Sequence, residues 1–79
     1  MTIDEAATDD LVTIRDYIRW GVSLFMGAGV YFGHGTDNAL DESAYLVLHA
    51  LHLPPDFPDG YLDTRLTAGE RRRVVALLQ

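Results

Sequence analysis

Residues 11–25 read Leu-Val-Thr-Ile-Arg-Asp-Tyr-Ile-Arg-Trp-Gly-Val-Ser-Leu-Phe. Leu11, Ile14, Ile18, Val22 and Phe25 recur at steps of three and four, the spacing that lays side chains along one face of an α-helix. Tyr17, Trp20 and Leu24 widen that face, while Asp10, Thr13, Asp16 and Ser23 turn toward solvent. The pattern predicts a long first helix that reaches Gly27 or Ala28. Traced backward, Ile3 and Ala7 extend the stripe, and Thr2 with Glu5 has capping-box spacing. A later start near Thr8 or Asp9 fits the pattern as well.

Traced forward, Gly27, Gly29, Gly33 and Gly35 break the period. Val30, Tyr31 and Phe32 allow a brief extended piece, too short for a sheet of its own, and residues 33–38 read as a turn-rich loop. Asn38 can cap a second helix with Asp41 in its first turn, near the free backbone N–H groups. That helix is expected to run to Leu51 or His52 and to bury Leu40, Ala44, Val47, Leu48 and Leu51. Asp41, Glu42 and Ser43 should lie near its outer start. Pro54, Pro55 and Pro58 close it, since each lacks a donor and restricts the residue before it. Phe57, Tyr61 and Leu62 should then fold back as apolar plugs around a single helical turn between Asp59 and Asp63. Thr67 with Glu70 three residues on is a capping box, opening a last helix whose apolar side is Val74, Val75, Leu77 and Leu78.

The expected fold is therefore all-α: a small bundle of three principal helices with one short helical turn, in a single domain over residues 1–79. Gln79 follows Leu78 without the glycine, asparagine or proline that commonly marks a helix stop. A natural chain end with frayed residues fits this, and so does the expected alternative, a last helix cut short within a longer polypeptide.

A chain of 79 residues buries only about 60% of its unfolded surface, so its core is modest. Its hydrophobic fraction of 48% exceeds what a disordered chain carries and suggests that some apolar side chains meet another domain. Twelve acidic residues oppose six arginines, with no lysine, for a net charge of −6. Direct nucleic-acid binding is disfavoured, because a phosphate backbone is met by clustered basic groups. Arg71, Arg72 and Arg73 form the one basic run, and consecutive helical residues spread around the axis as a solvated face. With no cysteine, disulfides, thiolate catalysis and sulfur-ligated metals are excluded. No basic flank precedes an apolar run at the start, and no stretch approaches a membrane span; a cytoplasmic protein is expected.

Four residues stand out as candidate protein-binding groups: Trp20, Tyr31, His34 and Asp37. Large aromatics often dominate binding hot spots, yet in so short a domain Trp20 and Tyr31 serve the core equally well. His34 lies between two glycines that would allow a partner's backbone close approach; alternatively it ties its own loop to Asp37 or to a helix end. Asp37 and Asn38 also suit turn and cap roles. Tyr17 and Tyr45 can pack their rings and keep their hydroxyls at a boundary. Asp4, Glu5, Asp9 and Asp10 read as a solvated face. A metal site would need His34, His49, His52 and a carboxylate such as Asp37; no His-Glu-x-x-His arrangement supports one, and no catalytic or metal-binding residue is assigned.

The stretches Ile18-Arg19-Trp20, Tyr31-Phe32-Gly33-His34-Gly35-Thr36-Asp37-Asn38 and Asp41-Glu42, with the run to Leu53-Pro54 and the later Arg65-Leu66-Thr67 and Glu70, together form a recognisable pattern. It resembles the amino-terminal domain of the PrmB-type bacterial methyltransferases, which modify a glutamine side-chain amide of the third large-subunit ribosomal protein. The resemblance implies a helical domain that assists recognition of the protein substrate, followed by a Rossmann-like catalytic domain that binds S-adenosylmethionine. It further implies that an Asn-Pro-Pro-Tyr segment holds the amide and that a glycine-rich loop holds the cofactor. Neither motif occurs here: Pro54-Pro55 stands between Leu53 and Asp56, and glycines 27, 29, 33 and 35 are not framed by a strand and a helix. The resemblance thus implies a segment that neither methylates nor binds cofactor by itself. Its expected partners are the catalytic domain of the same polypeptide and the ribosomal protein, with self-association possible in isolation. A free-standing acidic helical adaptor would show the same apolar content and charge. A hydrolase or metalloenzyme lacks both a nucleophile arrangement and ligand spacing.

Overall fold

A computed structural model describes residues 3–27 and 38–78, and side chains over 7–27 and 39–78. Four α-helices follow in order, α1 (Ile3–Asp10), α2 (Ile14–Gly27), α3 (Asn38–Ala50) and α4 (Ala68–Leu78), with a 3-10 turn at Asp59–Tyr61 before α4. The three longer helices form the bundle: α3 packs on both α2 and α4, and α1 packs on α4. The all-α fold with three principal helices and one short turn is thus the architecture found. Among the described residues the only strand-like pairing is an isolated antiparallel bridge between Thr13 and Arg65.

The long first helix does not form as one piece. It breaks at 11–13, because α2 has a complete start of its own. The Asp16 carboxylate accepts from the N–H groups of Val12 at 3.1 Å and Thr13 at 3.0 Å, and the Thr13 hydroxyl accepts from the Asp16 N–H at 3.1 Å. This is a reciprocal capping box with Thr13 as N-cap. The next free donors, Ile14 N–H and Arg15 N–H, bond the carbonyls of Thr64 at 3.3 Å and Leu62 at 2.8 Å. Leu66 N–H returns a 2.8 Å bond to the Val12 carbonyl. The loop before α4 therefore satisfies the helix start that the chain opens at Thr13.

α3 ends in a Schellman motif, with Leu53 N–H on the Leu48 carbonyl at 2.9 Å and His52 N–H on the His49 carbonyl at 3.0 Å. The motif requires a left-handed residue, usually glycine, and His52 takes it at φ 61°. Leu48 and Leu53 both join the core, as the motif favours. Pro54 follows and prevents any continuation. At α4 the capping box is as expected: Thr67 N–H on Glu70 Oε1 at 2.8 Å and Glu70 N–H on Thr67 Oγ1 at 3.1 Å.

The core gathers Ala7, Ile14, Tyr17, Ile18, Val47, Leu48, Leu51, Val74, Val75 and Leu78. Three expected members are exposed: Leu40 at 55%, Tyr61 at 59% and Leu77 at 42%. On α3 the inward face is rotated by one residue, so Ala39 and Ser43 are buried in place of Leu40. Gly21 explains the rotation. A bare Cα on α2 faces Ser43, and the Ser43 hydroxyl donates 2.7 Å to the Ile18 carbonyl. Small residues thus let the two helices close, and a leucine there would hold them apart. Tyr61 is not a plug; it leans on Phe57 with ring centroids 5.9 Å apart, while Phe57 and Leu62 pack on the core.

Candidate docking surface

Of the four candidate residues, Trp20 alone lies among the described residues. It is half-buried on α2, edge-on to Tyr17 with centroids 6.3 Å apart and planes at 86°. That makes it a core-flanking ring with one open side. Tyr31, His34 and Asp37 lie outside the described residues, as do the expected extended piece at 30–32 and the Asn38 side chain.

Tyr17 is wholly buried. Its hydroxyl lies 2.8 Å from the carbonyl oxygens of both Ala7 and Leu11, so its proton ties the end of α1 to α2. Burial pushes the phenol up to about 12, only partly offset by the nearby Arg71 guanidinium. Arg71 is itself half-buried, and its Nε has no hydrogen-bond partner among the described residues. It is therefore not simply part of the expected solvated face, whereas Arg72 and Arg73 are exposed. The Asp16 carboxyl is held below its ordinary range by the N–H of Thr13 first and then that of Val12.

Two concave surfaces remain open. A groove of about 630 Å³ runs along α2 and α3, floored by Ile18, Val22, Ala44 and Leu62, with Leu40 exposed at its edge. Its rims carry charges of both signs: Arg15 and Arg19 on α2, Asp41 on α3 and Asp59 on the 3-10 turn. Arg15 is already engaged with Asp63 at 2.9 Å, a pair exposed enough to add little stability. Arg19 donates 2.8 Å to Ser23.

A second groove, about 450 Å³, lies between the end of α3 and α4 and is lined by His49, Ala50, His52, Arg73, Ala76 and Leu77. His49 is stacked against Tyr45, centroids 6.1 Å apart and planes within 7°. The two histidines are exposed.

Both surfaces are apolar grooves edged by polar and charged side chains. Among the described residues no group of three His, Cys, Asp or Glu could hold a metal ion. Their glycines, at 21, 27, 60 and 69, lie within helices or the 3-10 turn. None follows a strand, so these residues form no phosphate-type cradle for a nucleotide cofactor. No helix among them is long and apolar enough to cross a membrane. The sequence reading missed Leu40 and Leu77 as surface groups, because three- and four-residue spacing marks an apolar stripe without fixing its centre.

Comparison with known proteins gives a consistent result. The chain is 52% identical over 73 residues to the ribosomal protein uL3 glutamine methyltransferase of Neisseria meningitidis, covering 92% of this chain and 24% of that protein. It is 55% identical over 74 residues to the protein of that name from Xanthomonas campestris, covering 94% of this chain and 24% of the relative. The Bordetella pertussis protein of that name is 55% identical over 69 residues, covering 87% and 23%. No family model and no solved structure matches. The likeness therefore extends over nearly the whole chain. The chain spans about a quarter of the length of these curated relatives.

Proposed function

We propose that this chain is the recognition and docking part of a ribosomal protein uL3 glutamine methyltransferase, and that it contributes no reactive atom. The observation that carries the reading is the identity of more than half over nearly all of this chain with enzymes of that name. In this reading residues 1–79 form one domain of a cytoplasmic enzyme whose remainder binds S-adenosylmethionine and performs the transfer. The part proposed here holds the protein substrate so that its glutamine amide meets the methyl donor. Fixing two reactants in the right geometry lowers the entropic part of a barrier without touching the reacting atoms.

The physical features suit that role. Leu40, Tyr45 and Tyr61 stand exposed on the surface, and half-buried Trp20 keeps one open side. Asp41, Glu42, Asp56 and Asp59 are exposed beside them. A ribosomal protein binds RNA and so carries basic groups, which an acidic surface attracts at long range. Removing residues 1–79 from the full polypeptide is expected to lower uL3 methylation by about tenfold or more, with S-adenosylmethionine binding retained. Undiminished methylation of the intact ribosomal protein by the shortened enzyme would overturn the reading.

A further inference from the structure

The groove between the end of α3 and α4 differs from its surroundings in sign. In a chain of net charge −6, its polar lining is His49, His52 and Arg73, with no carboxylate, over a floor of Ala50, Ala76 and Leu77. Neither His52 nor Arg73 has a side-chain hydrogen-bond or ionic partner among the described residues. His49 is oriented by its stack on Tyr45. Leu77 stands 42% exposed. His52 occupies a left-handed position where glycine would relieve strain, and strain of this kind concentrates at sites of recognition. A histidine near a helix C-terminus also favours its own helix. That effect requires neither the guanidinium reaching in from α4 nor an exposed leucine beside it.

We infer that this groove seats an apolar side chain flanked by carboxylates, presented by the remainder of the same polypeptide, so that it joins the docking part to the catalytic part. The inference rests on the function proposed above. Charge decides between the two partners in that reading. A basic ribosomal protein finds no carboxylate in this lining and meets the Arg73 guanidinium there, so it is better met by the carboxylates near α3's start and the 3-10 turn. One guanidinium beside two imidazoles is also too little positive charge to hold an RNA backbone. A carboxylate, by contrast, can take a two-pronged hydrogen bond from the Arg73 fork while its apolar neighbour covers Leu77.

The test uses the full polypeptide carrying Arg73→Glu with Leu77→Glu. Arg72→Glu serves as an exposed control outside the groove. Small-angle scattering reads the overall dimensions, and amide hydrogen exchange reads 49–53 and 73–78. The double variant is expected to enlarge the radius of gyration and to speed exchange in both segments by about tenfold. Arg72→Glu should do neither, and Arg73→Lys, which keeps the charge, should retain compactness. Unchanged dimensions and exchange in the double variant would overturn the inference. So would a rise in KM for uL3 with compactness intact, which would assign the groove to the substrate. If the unaltered enzyme does not methylate uL3, the proposed function fails, and scattering still decides whether the groove is an internal interface.

Discussion

Gly21 faces Ser43 across the α2–α3 seam, and a Cβ there would collide with the serine hydroxyl while lying 3.2 Å from Ser43 Cβ and 3.3 Å from Leu78 Cδ2. Gly21→Ala is therefore expected to destabilise the chain by about 2 kcal/mol in chemical denaturation. Adding Ser43→Ala should recover part of that loss, despite removing a buried hydrogen bond of its own, and a double-mutant cycle would register the coupling. The exposed Leu40 follows from the same pair, since Leu40-Ala44-Val47-Leu51 and Ala39-Ser43-Val47 have equally good helical spacing. Only the glycine on the neighbouring helix selects between them, and a single-helix pattern holds no record of its neighbour. His52 is the opposite case, a residue standing where another would cost less. His52→Gly should raise stability by about 1 kcal/mol by relieving the left-handed backbone, visible as a higher denaturation midpoint. Tyr17 gives a pH signature. Its folded phenol keeps its proton to about 12 against an ordinary value of 10.0. Its stabilising contribution is thus complete below pH 10.0 and is lost as pH rises through about 12. Tyr17→Phe should flatten that alkaline limb and cost about 1–2 kcal/mol at neutral pH by removing the tie to the end of α1.

Helix starts show what a sequence conveys at the next scale. Thr67 and Glu70 were legible as a capping box because they precede the apolar run of α4. Thr13 and Asp16 form the same device inside an unbroken apolar period, where the stripe from Leu11 to Phe25 conceals it. The carbonyls of Leu62 and Thr64 that complete the α2 start come from some fifty residues away, beyond any local pattern. Thr13→Ala or Asp16→Ala is each expected to cost about 1 kcal/mol, read by urea denaturation. The Asp16 carboxyl is held low by two backbone N–H groups, so its contribution is present above the ordinary carboxylate pKa of about 3.9 and lost as pH falls through its depressed value. Asp16→Asn should therefore weaken the acid dependence of stability as well as the cap.

The described residues form a slab 34 × 32 × 16 Å across. At 16 Å it is less than two helix diameters thick, so most side chains have water on one side, and leucines and tyrosines reach the surface despite a real core. Three helices could be inferred from their stripes, but the order in which they lie across a slab depends on which faces meet. The functional surface was legible only as a likeness. The resemblance rests on sequence patterns around Trp20 and 31–38, whereas each groove arises only where two separate helices meet. α1 illustrates how unevenly such a slab is held, because it packs on α4 alone and meets α2 through the Tyr17 hydroxyl. Its amides are expected to exchange with deuterium before those of the middle of α2, α3 and α4. Equal protection across all four helices would contradict that ordering.

The edge-on contact of Trp20 with Tyr17 gives this chain a built-in optical gauge. Trp20 is its single indole, and the ring beside it belongs to the phenol whose ionisation burial delays. Tyrosinate absorption overlaps the edge of indole emission. With Tyr31, Tyr45 and Tyr61 replaced by phenylalanine, folded protein titrated with alkali should therefore stay bright past pH 10.0 and dim only toward about 12. Unfolded chain would dim earlier. One fluorescence trace therefore reports whether the joint between α1 and α2 is closed, without any label.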